Sequence, residues 1–194
     1  MYPATYLGLE FKPKNMISFL LSHMNGHTSG NSQEIEPTEL KKKIDNHENI
    51  FILDVRTPQE YEAWKLSYEN HQNPKLIPVD RLFLNDSNLL REIPKDKEII
   101  TICPHGNRAT IGKYIMQRYG YKVKVLEGGL IAWSTEIEQA HREFQIAGSK
   151  VNLVQLRRIG KGCMSYIIES NGEVAVIDPV FPIDNYIQTA NKFN

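Results

Sequence analysis

One run of residues carries the clearest chemistry in this chain: Cys103-Pro104-His105-Gly106-Asn107-Arg108. A thiol heads it, a glycine lets the backbone curl, and an arginine closes it with a planar fork of donors suited to an anion. Just before it, Ile99-Ile100-Thr101-Ile102 reads as a buried strand. Just after it, residues 107–119 read as a helix stopped by Gly120 at the C′ position. Cys103 is therefore expected in a strand-to-helix loop, at the sheet edge where α/β proteins place their sites. Backbone amides at a helix N-terminus stabilise an anion. A thiolate is such an anion, so Cys103 is expected to act as a nucleophile, with residues 104–108 around its substrate. The bland alternative is that Cys103 is a small buried hydrophobe, the common role of a free cysteine. Its position at the junction, with Arg108 five residues on, favours catalysis.

The surrounding elements have to hold that loop. Pro37-Thr38-Glu39-Leu40 opens a helix in which Leu40 and Ile44 stack at i, i+4. Ile50-Phe51-Ile52-Leu53 is a continuous apolar run, as a strand covered on both faces requires. Residues 58–64 read as a helix with Pro58 in its first turn. Leu76-Ile77-Pro78-Val79 and Val123-Lys124-Val125-Leu126 read as further strands, and residues 130–139 as a last helix. Strands alternating with helices predict an α/β domain, a mostly parallel sheet with helices on both faces.

After Lys150 the pattern changes. Two β-rich runs flank Asn171-Gly172, a strong hairpin signal, and Pro182 opens a short helix. A C-terminal β-meander is expected, whose strand Val174-Ala175-Val176-Ile177 is apolar throughout and calls for cover on both sides that the chain is expected to end before supplying. The expected organisation is a flexible N-terminal tail over 1–33, one domain over 34–145, and an incomplete segment over 151–194. The tail holds a Gly/Ser-rich stretch, and Met24 would serve as an alternative start.

Lys plus Arg and Asp plus Glu both number 23, a net charge of zero, which argues against nucleic acid or an anionic membrane as partner. The run Met16-Ile17-Ser18-Phe19-Leu20-Leu21 is too short for a membrane span or a leader core. With two cysteines, Cys103 and Cys163, a cytoplasmic protein with free thiols is the expectation. Asp54 and Arg56, ending a strand, are expected to pair or cap loops and so support the site. Cys163 is expected to be a buried strand residue, Trp133, Tyr114 and Tyr119 core or rim aromatics, and Lys41-Lys42-Lys43 a solvated helix face. His105 either tunes the site or fills the loop. The histidines are scattered along the chain outside the His23/His27 pair of the tail, and no metal and no cofactor is assigned.

The loop Cys103-Pro104-His105-Gly106-Asn107-Arg108 resembles the six-residue active-site loop of the rhodanese family. Leu53-Asp54-Val55-Arg56 with Glu60-Tyr61 is similar to that family's first signature. Leu126-Glu127-Gly128-Gly129-Leu130 with Ala132-Trp133 is similar to its closing one. The resemblance covers about residues 34–140 and implies a sulfurtransferase. In that family the cysteine takes the outer sulfur of thiosulfate or a persulfide, becomes a persulfide cradled by loop amides, and passes the sulfur to a thiol, sulfite or cyanide. Related cysteine phosphatases carry one more residue between cysteine and arginine, so the loop length here favours sulfur over phosphate. Trp64-Lys65-Leu66 departs from the family's Gly-His-Ile, which puts the shape of the pocket mouth in doubt. The loop's only cations are His105 and Arg108, which suits a monoanionic persulfide better than the thiosulfate dianion.

Residues 157–166, followed by Val176-Ile177-Asp178-Pro179, resemble the opening strands of the metallo-β-lactamase fold, in its persulfide-dioxygenase-like branch. That resemblance implies a chain cut from a longer fusion whose His-x-His-x-Asp-His metal motif is not in this sequence. Two readings follow. One is a sulfurtransferase serving small sulfur donors and thiol acceptors. The other is a non-catalytic or sulfur-relay module that docks on a metallo-β-lactamase-fold partner or a missing C-terminal domain.

Overall fold

The structure, a computed structural model, describes residues 33–68, 73–84 and 87–193; the expected tail lies outside these residues. In chain order the first part runs β1 (Glu34–Ile35), α1 (Pro37–Asp45), β2 (Ile50–Asp54), α2 (Pro58–Ala63), β3 (Lys75–Leu76), α3 (Val79–Phe83) and α4 (Ser87–Arg91). It continues with β4 (Glu98–Ile102), α5 (Asn107–Arg118), β5 (Val123–Leu126) and α6 (Gly129–Trp133). The five strands form one parallel sheet in the order β1-β5-β4-β2-β3. Crossovers from β2 and from β4 leave in opposite directions, so the sheet has its switch point between these two strands. Asp54 is registered against Ile102, so the carboxyl ends of β2 and β4 finish side by side.

Both faces of this sheet are covered. On one, Ile35, Leu40, Ile44, Ile52, Ile100, Ile102 and Trp133 pack together; on the other, Leu53, Val55, Ile77, Ile99, Met116 and Val125 do. Each fully buried side chain of this size contributes roughly 1.5–3 kcal/mol. The expected solvated face Lys41–43 is more engaged than a bare surface: Lys41 bridges Asp45 and Glu138, and Lys43 bridges Glu48 and Glu98.

The second part is an antiparallel sheet of β6 (Ile137–Ile146), β7 (Ser149–Arg158), β8 (Met164–Ser170) and β9 (Glu173–Ile177), followed by α7 (Asp184–Ala190). Two-residue turns join β6 to β7 at Ala147-Gly148 and β8 to β9 at Asn171-Gly172, all four residues with positive φ, as a type I′ turn demands. Both sheets belong to one compact unit, Gln33–Asn194.

Three expectations need correction. The strand over 76–79 is only Lys75–Leu76, because Pro78 has no N–H for a ladder and instead stands as N-cap of α3. The helix over 130–139 stops at Trp133: the Ser134 and Thr135 hydroxyls donate to the carbonyls of Ile131 and Ala132, closing the helix end. Ile137 then begins β6. Cys163 is exposed, not a buried strand residue, since it sits in the Gly160-Lys161-Gly162 loop just before β8. The strand expected to lack cover, β9, is open, with Val176 and Ile177 exposed.

Candidate active site

Cys103 follows β4 directly and is 1 % exposed. Its Sγ accepts hydrogen bonds from the backbone N–H of Gly106 at 3.2 Å and of Ala109 at 3.4 Å. Gly106 makes this possible. It is the N-cap of α5 with φ +99°, a conformation an L side chain resists, and it turns the loop back over the sulfur. The Thr101 hydroxyl donates to the carbonyl of Ala109, tying the strand before the loop to the helix after it.

The loop is held from outside as well. Leu130 and Ile131, in the first turn of α6, donate their N–H groups to the carbonyls of Cys103 (2.9 Å) and Pro104 (3.1 Å). Gly129, with φ +61°, passes so close that a Cβ there would lie 2.3 Å from the Cys103 carbonyl oxygen. Only glycine fits.

Arg108 is turned to a partner in the facing segment. Its Nη1 and Nη2 donate to Glu60 Oε2 and Oε1 at 2.8 and 2.6 Å. The same carboxylate closes a capping box at the start of α2, accepting from the Thr57 N–H while the Thr57 hydroxyl accepts from the Glu60 N–H. The Arg108 guanidinium holds the Glu60 carboxyl down at about 2, below its ordinary 4.5. Glu60 in turn raises Arg108, so the pair stays ionised across the physiological range.

Asp54 and Arg56 form a second, buried pair. Arg56 Nε and Nη2 donate to the Asp54 carboxylate, the closest contact being 2.7 Å, at 0 % and 3 % exposure. The remaining guanidinium donors go to the carbonyls of Glu60 and Trp64. Arg56 therefore holds α2 at the Glu60 carbonyl and at its C-cap Trp64, and with it the residue whose carboxylate meets Arg108. His105 and Asn107 are exposed at the rim, while Pro104 is half-buried.

Trp64, where the sequence departs from the rhodanese pattern, donates its indole N–H to the carbonyl of Gly160 at 3.1 Å, and Leu66 is buried. A cleft of about 910 Å³ opens there, lined by Trp64, Tyr68, Arg157 and Cys163, but not by Cys103. Among the described residues no group of three or more His, Cys, Asp or Glu side chains could hold a metal ion, and no helix is long and apolar enough to cross a membrane.

Glu60 and Gly129 are quoted in the sequence signatures without a role. The Thr57-x-x-Glu60 spacing does announce a capping box, but its grip on Arg108 spans 48 positions and only the fold reveals it. Gly128-Gly129 after a strand announces an unusual turn; its contact with the Cys103 loop likewise needs the fold.

A family model described as "Rhodanese-like domain" matches residues 36–136. The chain belongs to the rhodanese-like family. The match spans every strand of the parallel sheet but β1, the whole Cys103 loop, and both ion pairs. Among curated relatives, a protein named "Sulfurtransferase" from Allochromatium vinosum is 29% identical over 102 residues, covering 52% of this chain and 87% of that relative. The Bacillus subtilis protein YtwF, also named for sulfurtransferase activity, is 30% identical over 105 residues, 54% of this chain and 92% of that one. A second Bacillus subtilis protein, YrkF, named as a sulfur carrier, is 30% identical over 138 residues, 69% of each chain.

Proposed function

We propose that this rhodanese-like chain is a sulfurtransferase in which Cys103 carries the transferred sulfur. The sulfur-transfer names of its relatives support the general chemistry. The observation that carries the specific reading is the buried Sγ receiving two backbone N–H groups at the head of α5. The same amides can receive the charge of a sulfur bonded to Cys103. The Cys103 thiolate attacks the outer sulfur of thiosulfate or a persulfide, the donor's sulfur–sulfur bond breaks, and sulfite or a thiolate leaves with the electron pair. A thiol, sulfite or cyanide then attacks that outer sulfur and regenerates Cys103. Residues 104–108 form the cradle, Asp54 and Arg56 hold its surroundings, and free thiols at both cysteines suit a cytoplasmic setting.

Incubation with thiosulfate or a persulfide is expected to add one sulfur, about 32 Da, to the intact protein through the thiolate. Cys103→Ser should lose the adduct completely and Cys163→Ser should keep it. Loading on Cys163 alone overturns the assignment.

A second reading is favoured by the antiparallel sheet, whose strands resemble the opening of the metallo-β-lactamase fold and whose Met164 and Ile177 are exposed. In it the domain is a relay module that loads sulfur and releases it only to a metallohydrolase-type partner. Turnover with small free thiols separates the two: a relay loads without turning over.

A further inference from the structure

Both arginines at the Cys103 loop are paired with carboxylates. Arg108, the loop's only permanent cation, has both terminal nitrogens on the Glu60 carboxylate. Arg56 is committed to Asp54 and to the carbonyls of Glu60 and Trp64. Lys113, further along α5, is 4 % exposed and donates to Gln33 Oε1 at 2.6 Å. What remains for an incoming sulfur donor is a set of neutral amide dipoles and the exposed His105. Desolvating an ion costs in proportion to the square of its charge, so a dianion suffers most at a loop whose arginines are already paired. Thiosulfate brings two charges and leaves as a sulfite dianion. A persulfide brings at most one on its reacting sulfurs and leaves as a thiolate.

We infer that Glu60 is a specificity-determining residue: by neutralising Arg108 it makes the site favour persulfides over thiosulfate as sulfur donors. This rests on the sulfurtransferase reading above. In the favoured step the Cys103 thiolate forms a bond to the outer sulfur of R–S–SH, and the R–S–S bond breaks. RS⁻ departs with the electron pair, and the proton stays on the transferred sulfur as Cys103–S–SH. With thiosulfate the products are Cys103–S–S⁻ and sulfite. Neither step needs an added oxidant or reductant.

Glu60→Gln isolates the charge, because a glutamine carbonyl still accepts from the Thr57 N–H and keeps the helix cap. Thr57→Ala is the complementary control: it removes the cap hydroxyl and leaves both charges of the ion pair. In a Cys163→Ser background, so that added sulfur reports Cys103 alone, loading rates would be measured by quenched intact mass. The donors would be thiosulfate and 2-hydroxyethyl persulfide. The parent is expected to load faster from the persulfide. Glu60→Gln should raise the thiosulfate-to-persulfide rate ratio about tenfold, the effect of one unit charge felt across a partly screened site. Thr57→Ala should leave that ratio within about twofold.

An unchanged ratio in Glu60→Gln, or an equal change in Thr57→Ala, overturns the inference while leaving the sulfurtransferase reading intact. A parent protein that loads from neither donor sinks that reading and this inference with it.

Discussion

The two sheets of this molecule treat their faces and edges differently. In the parallel sheet both faces are covered, and the loop at the carboxyl edge is tied down by main-chain bonds from α6 and by the two ion pairs Asp54–Arg56 and Glu60–Arg108. In the antiparallel sheet one face packs Val154, Leu156 and Ile167 against Tyr186 of α7. Alternation along the strands puts Phe144, Val151, Leu153, Ile168 and Ile177 on the opposite face, registered across neighbouring strands. There Phe144 is 45 % and Ile177 43 % exposed. The difference teaches where precision resides. Nucleophilic chemistry needs a backbone that cannot relax, and the chain supplies it where the Cys103 and Pro104 carbonyls and the terminal nitrogens of Arg56 and Arg108 already have partners.

That contrast can be broken by experiment. The largest stability effect is expected from Arg56→Ala, which leaves the Asp54 carboxylate buried and unpaired. It should cost about 3–5 kcal/mol by urea unfolding of the full chain and lower sulfur loading with it. A loss below about 1 kcal/mol would mean that the pair does not organise α2. Next comes Gly129→Ala, where a positive φ meets a backbone clash with the Cys103 carbonyl. A loss of about 2–4 kcal/mol and slower loading are expected. Normal loading in a destabilised Gly129→Ala protein would show that the α6 contact is structural only. The smallest effect belongs to the other sheet: Ile177→Lys on the edge strand β9 should shift stability by less than about 0.5 kcal/mol. A cost above about 1.5 kcal/mol would show that this face is packed after all.

Much of this was legible in the residue order, and the exceptions share a cause. The buried strands and the long helix α5 declare themselves through continuous apolar runs and a terminal glycine. The Cys103 loop is equally legible, because its chemistry is local: nucleophile, curl and helix start lie within a few residues. By contrast, β6 hides because its residues are largely polar and exposed, so no apolar alternation announces it, and only the Ala147-Gly148 turn marks its end. The exposure of Cys163 follows from a glycine-flanked loop that reads as easily as the start of a strand. Glu60 was the harder case. Its partner lies across the sheet edge, and nothing in a capping-box pattern says that the same carboxylate will also neutralise an arginine.

The bonds from α6 to the loop have a further consequence. In a trans peptide the C=O and N–H point in opposite directions. Holding the Pro104 carbonyl toward Ile131 therefore aims the His105 N–H away from α6. The peptide before it ends in proline nitrogen and offers no donor at all. The orientation of the cradle is thus written in the glycine turn of another segment, not in the side chains of the loop. Positions 105 and 107, both exposed, lie outside the bonds that hold the Cys103 sulfur.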